Sequence, residues 1–328
     1  MKMVANCITL EQIKKSASSL KVLRPAYKEF IDFYEEFFIA QEEAKTQIDL
    51  DEIVISPTPA PLPNGEGQNN YLESYTIPLI TTSDFVIFPN QAELLFEKLC
   101  KIAEDKGSPS LSGAAEKIAL LLFSNSSQVE SYDQTESYNQ IESYKKIESI
   151  FKALLDNDHK ILEITAQSLE LNKEALTFLG FAAISPYIQI CAAHLSQYLK
   201  PDSQIKSAQE KLLWNKGYCP ICGTSPQMGY FNQNGDKYLI CSFCQHSWKT
   251  SRMGCPLCEN REKGKQHYFF NEEEKEYRVD LCDKCGKYIK VIDLREMTRD
   301  FYPPLEMLCT LHLDMQATEK GYISVLAK

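Results

Sequence analysis

Apolar residues recur at helical spacing from Leu10 to about Ile48, where Phe30, Ile31, Phe33, Tyr34, Phe37 and Phe38 gather on one side between Glu and Lys positions. The same period returns at 91–106, at 114–123 and from Ile147 to about Trp214. The pattern predicts an all-helical domain over 1–214. Two stretches break it. Pro57, Pro59, Pro61 and Pro63, followed by Gly65 and Gly67, forbid a helix or interior strand and predict a long loop over 56–70. Residues 130–149 repeat Glu-Ser-Tyr every six positions, at Glu130, Glu136 and Glu142. That period fits neither a helix face nor a heptad, so the segment reads as a low-complexity insert without a role.

Ala175–Leu199 contains no formally charged residue and is long enough to cross a membrane. Thr177, Ser185, Gln189, His194, Ser196 and Gln197 make it too polar for a span, and Pro186 should break it midway. A pair of core helices, with no membrane, is the expectation.

After Trp214 the period changes to short strand-like runs. Met228–Phe231 and Lys237–Ile240 flank the turn-forming 232–236, and Gln266–Phe270 and Tyr277–Leu281 flank an acidic turn at 271–276. Both read as β-hairpins. From about Asp293 to Lys328 a helical pattern returns, with Leu305, Leu308, Leu311 and Leu313. The predicted organisation is therefore α+β and multidomain: a helical domain over 1–214, small modules over 215–250 and 251–292, and a helical tail over 293–328.

Cysteine placement gives the modules their chemistry. Eight of the twelve cysteines form four Cys-x-x-Cys pairs: Cys219/Cys222, Cys241/Cys244, Cys255/Cys258 and Cys282/Cys285. Two thiolates three residues apart in a tight turn can grip one ion, and Gly223 and Gly286 supply the left-handed residue such a turn needs. Four sulfurs complete a tetrahedral shell for zinc, and iron fits a similar cage. Two metal ions per chain, iron or zinc, are expected. Each hairpin returns the chain to its own first pair, which favours sequential use of the cysteines over the interleaved alternative. A closed four-thiolate shell has no open position for substrate, so a structural role outweighs a catalytic one. His246 and His267 lie in this region but are surplus to both shells.

The N-terminus has no apolar core or small-residue cleavage site, so the paired cysteines are expected to be thiolates in a reducing cytoplasm. A net charge of −10 argues against nucleic-acid or anionic-membrane binding. Within Cys219–Lys290, eleven Lys and Arg face nine Asp and Glu. Eight thiolate charges, half offset by two dications, bring the module to about −2, whereas a nucleic-acid-binding zinc ribbon is usually basic.

The residues from Trp214 to Tyr322 resemble the formate dehydrogenase accessory proteins of the FdhE type. The resemblance rests on Trp214-x-x-Gly217-x-Cys219-Pro220-x-Cys222-Gly223-x-x-Pro226 and on Tyr238-Leu239-x-Cys241-x-x-Cys244. It continues through Trp248, Arg252, Cys255-x-x-Cys258 and Cys282-x-x-Cys285-Gly286-x-Tyr288-Ile289-Lys290. It ends with Leu313-Asp314-x-x-Ala317-x-x-x-Gly321-Tyr322. Lys237 stands where an Arg is common in the family. The resemblance implies a helical domain followed by two rubredoxin-like metal modules. It also implies a cytoplasmic, non-enzymatic maturation factor that contacts the formate dehydrogenase catalytic subunit. Trp248, Arg252, Tyr288 and Asp314, which match the family pattern without being ligands, become candidates for partner binding. Against each stands a scaffold role, favoured for the two aromatics and level for Arg252 and Asp314. The alternatives are an iron-loaded electron-transfer or thiol-redox protein and, disfavoured by charge, a zinc-ribbon nucleic-acid binder. Dimerisation stays open.

Overall fold

The computed structural model describes residues 9–49, 52–58, 77–123, 146–199, 214 and 216–327. Most of the Pro-rich loop and of the Glu-Ser-Tyr repeat lie outside them. The described chain forms two compact units, one from 9–54 and 82–190, the other from 55–81 and 191–327.

The first unit is helical: α1 (Leu10–Leu23), α2 (Lys28–Lys45), α3 (Pro89–Lys106), α4 (Pro109–Phe123), α5 (146–155), α6 (His159–Ser168) and most of α7 (Lys173–Leu195). The single helical stretch expected from Leu10 to Ile48 is two helices. Pro25 disfavours helical geometry in the residue before it, and Arg24 breaks out at φ −128°, ψ 66°. The run expected from Ile147 is likewise cut. Asn157 and Glu170 adopt φ of 54° and 51°, and Asp158 then caps α6 by accepting the Lys160 and Ile161 N–H groups, both at 3.0 Å. Buried faces repeat every three or four residues, as in Ile13, Ala17 and Leu20 of α1 and Leu95, Phe96, Leu99 and Ala103 of α3. Phe37 of α2 stacks on Phe178 of α7 at 5.2 Å.

Pro186 does not break α7, contrary to the pattern-based expectation. Proline lacks the N–H that would bond the carbonyl four residues back, here that of Ala182. The Gln41 side-chain amide donates to that carbonyl at 2.7 Å, in a buried position, so the orphaned acceptor is satisfied from α2. The stretch Lys173–Leu199 meets the length and composition of a membrane span, yet 72% of its most apolar window is buried inside the protein.

The second unit is built on one sheet. Its strands are β1 (Pro226–Phe231), β2 (Lys237–Cys241), β3 (Ser247–Thr250), β4 (Gln266–Phe270), β5 (Tyr277–Cys282), β6 (Lys287–Asp293) and β7 (Ile323–Ser324). The path is β3-β2-β1-β6-β5-β4, with β7 paired to β6. Both expected hairpins form. In the first turn Asn232 Oδ1 accepts the Asn234 and Asp236 N–H groups at 3.0 and 2.8 Å. The two meanders meet through a parallel pairing of β1 with β6, Gly229 opposite Val291, so both cysteine modules share one sheet.

One face of this sheet packs Met228, Ile240, Tyr277, Val279, Leu281, Tyr288 and Ile292 against Leu313 and Ala317 of α9 (Leu311–Glu319). The preceding helix α8 (Pro303–Cys309) brings in a fully buried carboxylate, Glu306. Tyr277 Oη donates to it at 2.7 Å and the Arg299 guanidinium pairs with it, so the charge is compensated. The helical tail expected from Asp293 starts only at Pro303, because β6 runs through Asp293 and a turn follows.

Candidate metal centres

The four Cys-x-x-Cys segments fold into similar knuckles. In the first, Gly223 N donates to Cys219 O at 2.9 Å. In the last, Gly286 N donates to Cys282 O at 2.8 Å. The residue after the second cysteine is left-handed in all four: Gly223 (φ 74°), Gln245 (58°), Glu259 (56°) and Gly286 (65°). The expected role of the two glycines thus extends to Gln245 and Glu259, which adopt the same geometry at a strain of about 1–2 kcal/mol each. Backbone N–H groups aim at sulfur inside a knuckle: Phe243 N and Cys244 N each lie 3.4 Å from Cys241 Sγ.

The knuckles assemble in sequence-local pairs. Cys219, Cys222, Cys241 and Cys244 bring their sulfurs within 4.8 Å of one another, and Cys255, Cys258, Cys282 and Cys285 do the same. The hairpins bring each second knuckle back to its first, which is the sequential arrangement. Sulfur-to-sulfur distances test the fit to a metal. A tetrahedral ion with arms of about 2.3 Å has edges of about 3.8 Å. The first cage shows 3.7, 3.5 and 3.6 Å for Cys219–Cys244, Cys222–Cys241 and Cys222–Cys244. The second shows 3.9 Å for Cys255–Cys285 and 3.7 Å for Cys258–Cys282. All are too long for a disulfide and match the edges of a four-sulfur cage. Zinc or iron fits both cages; each would be held by its four thiolates, and it would supply the positive charge that keeps all four ionised.

Electrostatics point the same way. Burial pushes the Cys219 and Cys244 thiols well up, while Cys222, facing Cys219, Cys241 and Cys244, is pulled far down. In the second cage burial raises Cys255 and Cys285. At Cys282 burial also opposes ionisation, but the Cys285 and Lys284 N–H groups outweigh it and lower the pKa. Four thiolates this close need a cation between them.

The cages differ in exposure. All four sulfurs of the first belong to buried residues, whereas Cys258 and Cys285 of the second are half-buried. The chain at Leu79–Ile80 explains the closure. Leu79 N and Ile80 N donate to Pro220 O and Ile221 O at 3.0 Å each, laying this segment along the first knuckle. Gly217 ties the modules together: a Cβ there would lie 2.6 Å from Leu257 Cα and 2.7 Å from Pro256 O, so only glycine permits this approach to the third knuckle.

The four candidates for partner binding fall in different surroundings. Trp248 is buried, its Nε1 donating to Lys216 O at 3.3 Å. Tyr288 is buried and donates to Asp314 Oδ1 at 2.9 Å, while Lys290 Nζ meets Asp314 Oδ2 at 2.6 Å. Burial, then the Asp314 carboxylate, pushes the Tyr288 hydroxyl up to about 12. Asp314 is thereby the counter-charge of a buried lysine whose ammonium also reaches Met307 O and Thr310 O. Arg252 alone is exposed, its guanidinium 5.6 Å from the Phe231 ring. Sequence reasoning gave Lys290 no function. The signal was a single lysine inside Tyr288-Ile289-Lys290-Val291-Ile292, where a charge needs a partner. Lys237, buried in the same way, pairs with Asp280 at 2.6 Å. His246 and His267 stay outside both cages: burial holds His246 near pKa 4, and His267 faces Asp283 at 2.9 Å.

Residues 218–252, which contain the whole first hairpin and both of its knuckles, match the family model described as FdhE, central domain. This segment is similar to the FdhE central domain. The resemblance read from the cysteine and Trp/Gly spacing is borne out in this segment, and relatives extend it. A protein FdhE homolog of Aquifex aeolicus is 34% identical over 140 residues, covering 40% of this chain and 48% of that protein. Protein FdhE of Escherichia coli O9:H4 is 29% identical over 182 residues, covering 52% of this chain and 55% of that protein. The matched region thus spans about half the length of these curated FdhE relatives. The crystal structure of the FdhE protein from Pseudomonas aeruginosa shares the fold, with a TM-score of 0.56 over 96% of this chain and 94% of that one at 18% identity.

Proposed function

We propose that this FdhE-like chain is a non-enzymatic accessory factor of formate dehydrogenase, docking in the cytoplasm on its catalytic subunit through a surface that two four-cysteine metal sites organise. The observation that carries the proposal is the pair of four-sulfur cages, each saturated by its own cysteines and joined in one sheet. Such centres rigidify a small module and pre-organise the side chains around it, which reduces the entropy lost on binding. In a strain lacking the gene, the catalytic polypeptide should accumulate without activity, and tagged chain should co-purify with it. Full formate dehydrogenase activity in that strain, with no paralogue present, refutes the role.

A second reading has one observation in its favour. Cys258 and Cys285 bring the second cage to the surface, as electron exchange with a partner would require of an iron centre. A reversible visible spectrum on reduction and reoxidation of the purified protein would support it; a colourless zinc protein would end it.

A further inference from the structure

A row of rings and guanidinium groups crosses the sheet face opposite α9. Phe270 stacks on Tyr268 at 6.2 Å, and Arg278 lies 4.7 Å from the Tyr268 ring and 4.6 Å from the Phe231 ring. Arg252 and Arg295 each sit 5.6 Å from that same Phe231 ring. The row borders a groove of about 300 Å³ between the Arg252–Leu257 segment and β4. Charge there is unbalanced. Lys237 and Arg278 share Asp280, at 2.6 and 2.8 Å, and Arg295 pairs with Asp293 at 2.5 Å. Lys287 also lines the groove, so five cations face two carboxylates. Among the described residues no carboxylate lies within 4.0 Å of Arg252, and no cysteine sulfur accepts a hydrogen bond from it, so the second cage does not absorb the excess. The rim is apolar and open: Met253 is 79%, Tyr268 58% and Phe270 43% exposed. Arg, Tyr, Phe and Met side by side are what protein interfaces enrich, and exposed apolar residues gathered around an unpaired cation have no internal use.

We propose that this groove is a docking surface for an acidic peptide segment of a protein partner, whose carboxylate pairs with Arg252 while a flanking apolar side chain packs on Met253 and Tyr268. Charge complementarity selects the occupant. The chain as a whole carries −10, so a local positive groove draws an acidic segment against a repelling background. A nucleic-acid strand, which rewards a long run of phosphate-binding cations, would meet only two unneutralised ones here, Arg252 and Lys287. The identity of the partner rests on the accessory role proposed above; the groove itself does not.

The test uses the full-length, metal-loaded chain and a fluorescein-labelled peptide alternating Glu and Leu, with its Lys-for-Glu counterpart and a single-stranded oligonucleotide as competitors. The acidic peptide should bind and its lysine counterpart should not. Arg252→Glu, with metal content unchanged, should weaken binding about tenfold or more, the worth of one charge-assisted hydrogen-bonding pair. Arg252→Lys should fall between. Lys263→Glu, the same charge change at an exposed position outside the groove, should leave binding unaltered. Equal binding by Arg252→Glu, equal weakening by Lys263→Glu, or tighter Arg252-dependent binding of the oligonucleotide overturns the proposal. The partner is read separately, by returning Arg252→Glu to the strain lacking the gene. Lost peptide binding with restored formate dehydrogenase activity removes the catalytic subunit as the occupant. Failure of the wild-type chain itself to restore activity sinks the accessory role alone.

Discussion

Replacing Asp314 with alanine separates a scaffold from a docking residue. Asp314 is the only carboxylate among the described residues that pairs with Lys290, whose side chain is 3% exposed. Removing it leaves an ammonium in the core with two backbone carbonyls and no counter-charge, and also strips the acceptor from Tyr288 Oη. Breaking one side of a buried pair typically destabilises by about 3–5 kcal/mol. The Asp314 side chain is 28% exposed, so solvent screens part of the interaction and the lower end, about 3 kcal/mol, applies. At roughly 2–4 °C per kcal/mol for a unit of this size, Asp314→Ala should lower the melting temperature by about 6–12 °C. Lys290→Met combined with Asp314→Leu should recover most of the loss, because two apolar side chains of similar volume leave no orphaned charge. Thermal melts of metal-replete protein, followed by circular dichroism, make the comparison. An Asp314→Ala variant that melts with the wild type, or a double variant no better than the single, would refute the buried-pair argument and return Asp314 to the exposed docking residues.

Gln41→Leu should destabilise the helical unit by about 1–3 kcal/mol, the penalty of leaving the Ala182 carbonyl unsatisfied. In a Pro186→Ala background the restored N–H can bond that carbonyl, so the effect should shrink by at least half in urea titrations; equal effects in both backgrounds would contradict the rescue. Gly286→Ala should lower stability by about 1–2 kcal/mol, because nothing lies within 4 Å of the added Cβ and only the left-handed backbone resists it. Glu259→Gly should act in the opposite direction, and thermal melts showing no difference in sign would end the knuckle-strain argument. Burial raises Tyr187 to about 12 from its ordinary 10. A raised pKa contributes stability that is complete below about pH 10 and lost as pH climbs through 12. Tyr187→Phe should therefore flatten the stability curve in that window, and an unchanged slope would show that the phenol ionises freely in the native state.

What was legible in the sequence was local. The knuckles and hairpin turns are fixed by residues within a few positions of one another, such as Asn232 with Asp236 or Cys282 with Gly286, and period and turn chemistry expose them. What escaped depends on partners far along the chain. Pro186 read as a helix break because its remedy, Gln41, lies 141 positions from the carbonyl it serves. The β1–β6 pairing joins the two meanders across some sixty residues, and no short-range signal announces a parallel contact of this kind. At the site the same division holds. Eight candidate ligands stood out by spacing, whereas the Arg278 sandwich between Phe231 and Tyr268 needs the four strands β1, β6, β5 and β4 in register before it exists.

Metal content and ligation test the central claim most directly. Protein purified without oxygen and examined by elemental analysis and X-ray absorption should hold two ions per chain, each with four sulfur neighbours at about 2.3 Å. Cys219→Ser with Cys222→Ser should remove one ion and leave the other four-sulfur shell, from Cys255, Cys258, Cys282 and Cys285, intact. A single ion in the folded wild-type chain, nitrogen in either shell, or loss of both ions from that variant would contradict two independent cages.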